Sequence, residues 1–356
     1  MSATSGAHTI WVYRWEDDGE FNQAPGDPSD ETNKVFGANE TMDTADRANN
    51  PERMFRPFSR AAEEIIETNF EGSWSADFVL ANTWWLQYFF GEPATSSVND
   101  DGAAPWEHQY STDPSVGTSA KSAHLIEETH HADGTVEQTV YTGVVAGSID
   151  MDVSTEDTVS ISLDGNYADE QTYDEQVDTN SPYGIIGSQP DLSYRPMHFG
   201  NSVLKLDVDD DGTAETLALV QEAGLGLEGN VELSYELGTR FPVIPQYLNY
   251  EPDIDYTRLV SGDTSPDEKK SAYGASYGSA TASPQETLVD AAIDGELEFN
   301  ANTSTTNKLT MNILGAFPDE YSRSNIGDPG EALEDDITRM IEDVTATVES
   351  DQESPA

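Results

Sequence analysis

The amino-acid sequence predicts a mainly β protein of two tandem domains. Three observations lead there. The stretch GVVAGSIDMDVSTEDTVSISLDGNY (143–167) alternates with a period of two: Ile149, Met151 and Val153 against Ser148, Asp150 and Asp152, then Val159, Ile161 and Leu163 against Ser160, Ser162 and Asp164. This is a hairpin with one apolar face and one face of hydroxyls and carboxylates. A second alternating hairpin lies at 288–317, with Ile293, Leu297 and Phe299 against Asp294, Glu296 and Glu298. Finally, 356 residues exceed the size that one core ordinarily serves.

Along the chain, residues 17–60 are rich in turn formers and read as long loops. EGSWSADFVLA (71–81) alternates as a strand. NTWWLQYFFG (82–91) reads as a short helix between an Asn82 or Thr83 N-cap and Gly91. Residues 92–118 form another loop, and 123–145 a hairpin turning at Asp133-Gly134. The 143–167 hairpin completes a first domain, 1–190. A second domain, 191–326, repeats the order. It has a hairpin turning at Asp211-Gly212, then EGNVELSYEL (228–237) matching EGSWSADFVL (71–80), then the 288–317 hairpin. Strand, apolar connector and amphipathic hairpin thus occur twice in one order, as in a tandem duplication. Residues 327–356 carry an acidic tail and a terminal amphipathic helix, predicted from Ile337, Met340, Ile341, Val344 and Val348.

The formal net charge is -52, from 68 acidic and 16 basic residues. Such self-repulsion opposes compaction at ordinary ionic strength, whereas molar salt shortens the Debye length to about 3 Å. Aromatic residues and alternating apolar runs argue against a disordered chain. Acid excess with scarce Lys fits a halophile's protein, so bulk charge by itself says little about function. The chain has no Cys, which excludes disulfides, thiolate metal sites and Cys nucleophiles. The first twenty residues show no basic segment followed by an apolar one, so no secretory signal is expected. The oiliest stretch, WWLQYFF (84–90), is too short to span a membrane.

Candidate sites are few. Asp207, Asp209 and Asp211, followed by Gly212, start like a calcium loop, but Ala218 stands where a bidentate Glu is required. The Asp-Gly turn of a hairpin explains the same residues without metal. His130 and His131 are adjacent on a strand and point to opposite faces, so they do not share a metal. No G-x-S-x-G, P-loop, dinucleotide fingerprint or H-E-x-x-H is present. Carboxylate pairs are too abundant to single out a glycosidase site. Trp84 and Trp85 read as core beside Leu86, Phe89 and Phe90, with a sugar-stacking platform as the alternative. No basic, aromatic-interleaved surface for binding nucleic acid is visible. No cofactor and no enzymatic activity are expected.

The order of elements resembles the tail tube, or major tail, proteins of tailed double-stranded DNA viruses. The likeness is carried by EGSWSADFVLANTWWLQYFFG (71–91), HADGTVEQTVYTGVVAGSIDMDVS (130–154) and TVSISLDGNY (158–167). NPERMFRPFSR (50–60) is similar to an arginine-rich loop preceding the first strand in long members. It covers most of residues 50–170 and, more weakly, 200–317. The acidic composition suggests a virus of a halophilic, archaeal host. The resemblance implies a structural virion protein, assembled in the host cytoplasm, whose tandem tube domains are β-sandwiches, each with a short flanking helix, six of them per ring. Each would give four strands to one continuous inner β-barrel, and rings would stack into a tube. Two tandem domains per chain would make the ring a homotrimer with pseudo-sixfold symmetry, against a hexamer of single-domain chains. Twenty-four strands spaced about 4.8 Å apart and tilted about 40° enclose a diameter of about 48 Å. Side chains of about 5 Å on each wall leave a bore near 38 Å, wider than a duplex of about 20 Å.

On this reading DNA passes without specific binding. Tape measure, tail terminator and baseplate proteins are the implied partners, and no membrane is involved. A wall of carboxylates offers phosphates no counterion release and hence no binding minimum. The expected lining is Asp77, Asp150, Asp152 and Asp164 in the first domain and Glu232, Glu236, Glu296 and Glu298 in the second, with Lys308 pairing a carboxylate across strands. Ring-to-ring contacts are assigned to the loops 17–60 and 92–118, anchored by Trp106 and Tyr110. Two alternatives stay open: a halophile's β-sandwich adhesin stapled by calcium through Asp207, Asp209 and Asp211, and a carbohydrate-active enzyme. Acids facing brine would give the same alternation.

Overall fold

The computed structural model describes residues 9–17, 20–23, 33–44, 47–48, 52–55, 62–66, 68–97, 104–112, 121–173, 186, 196–208, 213–260, 265–273, 283–284, 292–301, 307–326 and 331–351, and the structure below is that of these residues. The chain opens with β1 (Thr9–Trp15), β2 (Ala38–Asp43) and the short β3 (Arg47–Ala48). A small hairpin, β4 (Glu52–Phe55) and β5 (Ala62–Ile66), leads into β6 (Glu71–Val79). A 3-10 turn (Trp84–Leu86) continues into α1 (Gln87–Phe90), ended by Gly91. Then come β7 (Ala94–Ser97), β8 (Trp106–Tyr110), β9 (Ala123–His130), the long β10 (Val136–Ser154), β11 (Ser160–Tyr167) and β12 (Asp169–Tyr173).

The rest of the chain runs β13 (Ser202–Leu206), β14 (Glu215–Thr216), β15 (Val220–Glu228), the hairpin β16 (Val231–Tyr235) and β17 (Pro242–Tyr247), and β18 (Glu251–Leu259). It ends with α2 (Ser265–Ala272), β19 (Ile293–Asn300), and two strands of 17 residues each, β20 (Lys308–Ser324) and β21 (Glu334–Ser350). The fold is mainly β, all registered pairings are antiparallel, and no circuit of pairings closes within the described chain.

One extended sheet runs β2–β6–β11–β10–β15–β18–β21–β20. Its order contains the same pattern twice. Among β2, β6, β10 and β11 the spatial order is first, second, fourth, third, and among β15, β18, β20 and β21 it is the same. The backing layers also correspond: β1–β9–β10–β12 behind the first four strands and β13–β19–β20–β21 behind the second. A hairpin and a short helix flank the second strand of each set.

Each third strand serves both layers, and each bends at a glycine with positive φ. Gly143 (φ 61) immediately precedes Val144, the last residue of β10 paired to β9. Gly315 (φ 65) immediately precedes Ala316, the last of β20 paired to β19. A β-bulge follows at the same spacing in each, between Ala146 and Ser148 and between Pro318 and Glu320. Bulges sharpen local twist, so bend and bulge together steer the strand from one layer into the other. Each set's first strand shares an irregularity too. Asn39 (φ 55) and Leu219 (φ 67) adjoin register shifts at Ala38/Thr41 and Val220/Glu222.

The core lies between the layers. Tyr13, Phe36, Trp74, Phe78, Trp85 and Tyr88 pack edge-to-face and tilted in the first half. Trp84 and Trp85 are buried there, which removes the sugar-platform alternative. Ile254, Leu297, Phe299, Met311, Ile313 and Val344 fill the second half.

Several sequence expectations are corrected. Residues 334–350 form strand β21, not a helix. The counterpart of β6 is β18, which buries every second residue from Pro252 to Arg258 as β6 does from Gly72 to Phe78, and not 228–237. The counterpart of the 143–167 hairpin is β20–β21, reaching residue 350, and not 288–317. The expected loops at 17–60 and 92–118 hold β2, β3 and β4, and β7 and β8, respectively.

A Cβ at Gly143 would lie 2.7 Å from the Ala168 Cβ and 3.0 Å from the Phe21 ring, whereas one at Gly134 (φ 89) meets nothing within 4 Å. Left-handed backbone costs a non-glycine residue about 1–2 kcal/mol. Gly143→Ala should therefore lose clearly more stability than Gly134→Ala, which bears only the backbone term. Urea midpoints at fixed salt measure the difference; equal losses would contradict a packed bend.

Candidate functional site

The extended sheet has two unlike faces because its strands alternate. One rung crosses all eight strands: Thr41, Asp77, Ser162, Asp150, Gly226, Asp253, Met340, Phe317. The next runs Ala38, Val79, Ser160, Asp152, Gly224, Asp255, Thr338, Glu320. Residues between these rungs, such as Phe78, Ile161, Met151, Leu225, Ile254 and Ile337, point into the core. The three arginines of these strands in this sheet, Arg258, Arg323 and Arg339, also alternate to the core side. Arg258 and Arg339 are buried, and Arg323 pairs with buried Asp335 at 2.7 Å. The polar face is thus mainly acid and hydroxyl, with Val79, Phe317 and the 60% exposed Met340 as apolar members of its rungs.

Asp77, Asp150, Asp152 and Asp164 all lie on this face. Ser162 Oγ donates to Asp77 at 2.6 Å. The second-half residues that join them are Asp253 and Asp255 on β18, Glu222 and Glu228 on β15, and Asp336 on β21. Glu232 and Glu236 are elsewhere: Glu232 is on the separate β16–β17 hairpin and Glu236 just beyond β16. Glu296 and Glu298 lie on β19 in the backing layer. There Glu296 meets Lys205 at 2.8 Å, and Glu298 meets both Lys205 and Lys308, the latter at 3.0 Å. Lys308 does pair across strands. β18 and β21 escape the sequence analysis because it assigns no strand to 251–259 and a helix to the terminal segment, although EPDIDYTRL alternates cleanly.

At the centre of the sheet, glycine makes room for acid. A Cβ at Gly224 would lie 2.6 Å from Asp255 Oδ1 and 2.9 Å from Asp152 Oδ1. At Gly226 it would lie 2.5 Å from Asp253 Oδ1 and 3.4 Å from Asp150 Oδ1. The carboxylates of β10 and β18 therefore lean over bare β15 backbone toward each other. Partial burial, and then repulsion by neighbours, raises the carboxyls of Asp150, Asp253 and Asp255 above the ordinary 3.8. For Asp150 those neighbours are Asp152, Asp253, Asp164 and Glu228.

No group of three or more His, Asp or Glu suited to hold a metal occurs among the described residues. Asp207 is buried, and Asp209 and Asp211 lie outside the described residues. His130 and His131 bond different acids, Glu128 at 2.9 Å and Glu137 at 3.4 Å. Tyr110 is 2% exposed and packs on Phe90, so it cannot anchor an outside contact in this conformation, while Trp106 is half-buried.

A family model for phage tail tube proteins matches residues 13–349. The chain belongs to the phage tail tube protein family. It is a structural tail protein, and as a tail component it is located in the virion. Among solved structures, it is similar to a chain of the anti-feeding prophage baseplate, determined by cryo-EM and 6-fold symmetrised. That likeness has 12% identity and a TM-score of 0.30 over 45% of this tube protein and 96% of the baseplate chain. No curated protein matches it. Among the described residues, no helix of the tube protein is long and apolar enough to cross a membrane.

The raised carboxyls give a signed expectation. The folded state of the tube protein holds these protons more tightly than the unfolded state. Their stabilising effect is therefore present at low pH and lost as pH rises through the raised folded values. Asp150→Asn should raise the melting temperature at pH 7 and low salt by on the order of 1–3 °C, and the gain should shrink in about 3 M NaCl, where the Debye length is shorter than the carboxylate spacing and only the cost of partial burial is left. A loss of stability at low salt would contradict repulsion on this face.

Proposed function

We propose that this protein self-assembles into stacked rings that form the tail tube, with the acidic sheet face lining a channel for double-stranded DNA. The observation that carries the reading is the eight-stranded sheet with its acid-and-hydroxyl face and its order of four strands used twice. The two sets are tandem tube domains, and the boundary falls between β12 and β13. Three chains then contribute 24 strands, and the channel of about 48 Å between backbone walls is wide enough for a duplex of about 20 Å. Phosphates gain no counterion release from carboxylates, so the genome meets no adhesive minimum along the wall. Asp77, Asp150, Asp152, Asp164, Asp253 and Asp255 line it; Glu232, Glu236, Glu296 and Glu298 do not. The composition supports a halophilic host. The family supports assembly with further tail proteins at either end, a tape measure and a terminator or baseplate component.

Negative-stain electron microscopy of the purified protein in concentrated salt tests assembly. Stacked rings with a central channel are expected, and monomers at every concentration would overturn the proposal. For the lining, Asp150→Lys with Asp152→Lys should leave tubes intact but slow genome ejection from virions by about tenfold or more, since each new cation creates a phosphate contact. Unchanged ejection would remove those two residues from the channel's role.

A further inference from the structure

The chain contains one seam between its two strand sets, and that seam specifies how one chain meets the next. Inside the chain, β10 pairs with β9 as far as Val144, bends, and from Ser148 onward presents the same edge to β15. β20 repeats this course. It pairs with β19 as far as Ala316, bends, and from Glu320 onward no described strand lies on that edge. At the opposite end of the sheet, no described strand lies on the outer edge of β2, the counterpart of β15. The sheet therefore ends in the two halves of the joint that it forms once internally.

We propose that β20 of one chain pairs with β2 of a second copy in the register of the internal β10–β15 seam, placing Ser324 opposite Asp43. The register follows from shared landmarks. Asp152 lies nine residues past Gly143 and Ser324 nine past Gly315, with the bulge at the same place between. On the other side, Gly224 and Asp43 each lie two residues past the end of the register shift in their strand. They oppose Asp255 and Ser75, which in turn oppose Thr338 and Asp164, the partners of Glu320 and Ser148. Both routes give one answer. The internal pair Asp152–Gly224 becomes Ser324–Asp43 between chains, and Ser154–Glu222 becomes Ile326–Thr41. Ile326, now 73% exposed, would then gain Thr41 as its cross-strand neighbour on the polar face. The interface is heterologous and head-to-tail, so it closes into a ring when the rotation per chain allows.

This inference rests on the tube reading, and the chain's lack of cysteine makes it directly testable. Ser324→Cys and Asp43→Cys are placed in one chain, assembled under reducing conditions, and then oxidised. The expected product on a non-reducing gel is a ladder of covalent oligomers ending at three chains. Mixing a Ser324→Cys chain with an Asp43→Cys chain should give crosslinked pairs only. Glu320→Cys with Asp43→Cys, about 13 Å out of register, should give at least tenfold less product. If the first double variant does not assemble, Ile326→Cys with Thr41→Cys tests the same register. Tubes that form without these crosslinks, or that crosslink through Glu320 instead, overturn the seam while leaving the tube reading in place. Absence of tubes from the unmodified protein overturns both.

Discussion

Two strands have to belong to two layers at once, and the rest of the structure depends on how they manage it. β10 and β20 begin in the backing layer and end in the extended sheet, so each must redirect its side chains partway along. A left-handed glycine and a bulge a few residues later accomplish this in both strands. At the first bend, the buried carboxylate of Glu16 accepts from the Gly143 N–H at 2.9 Å, from the Asn22 N–H at 3.2 Å and from the Ser122 hydroxyl, and it lies 3.2 Å from His124. A charge so deeply placed is costly unless fully bonded, and here it ties β1, β9 and β10 to the bend. Without the bends, each strand set would lose either its backing layer or its acid face.

The acid face is held in place by the opposite side of the same strands. Ile149, Met151, Val153, Ile161, Leu163, Leu225 and Ile254 are at most 4% exposed. Each contributes roughly 1.5–3 kcal/mol on burial, and alternation then fixes where Asp150, Asp152, Asp164 and Asp253 must stand. A one-residue slip would put carboxylates in the core and isoleucines in water. Crowding among the acids is relieved by leaving out side chains at Gly224 and Gly226, while cations are spent elsewhere. Lys205 and Lys308 neutralise Glu296 and Glu298 in the backing layer, and Lys34 is buried over Trp84, 5.0 Å from the ring centroid, which lowers its ammonium to about 8.

Much of the first half was legible because its strands alternate without interruption. Residues 71–80 and 148–164 read directly, and the Asp133-Gly134 turn and the Trp-rich helix followed from local chemistry. The second half was harder for a physical reason. In β21 the buried residues run 335, 337, 339, 341 and then 344, 346, 348, 350, because the ribbon changes phase opposite Gly315. That shift places Ile337, Ile341, Val344 and Val348 at the spacing of a helix face. Arg339 and Ala346, which complete the strand pattern, do not register as apolar positions. The same bias led from the Glu-Gly pair at 228–229 to the wrong counterpart of β6, since Pro252 stands in β18 where β6 has Gly72. Pairing across strands, which no local pattern contains, is what places the second half's share of the acid face on β18 and not on β19.

Carrying two strand sets in one chain matters most for a molecule this acidic. Joining separate units edge to edge costs translational and rotational freedom, an estimated 4–15 kcal/mol per association, and here like charges oppose each step as well. In the internal seam these costs are met once, during folding, because β10 and β15 are joined through the chain. Asp150 and Asp152 can then be set against Gly224 and Gly226 with Asp253 and Asp255 close behind, a density of charge that two free subunits would have to bring together from solution. The proposed outer seam faces that problem without covalent help, and its side chains differ accordingly. On the polar face Ser322 and Ser324 of β20 replace Asp150 and Asp152 of β10, so the strand that must find a separate molecule carries hydroxyls where the internal strand carries charge. Hydroxyls at the proposed joint between chains, and full acidity at the joint made by folding, are the distribution that closing a ring from so acidic a chain would need.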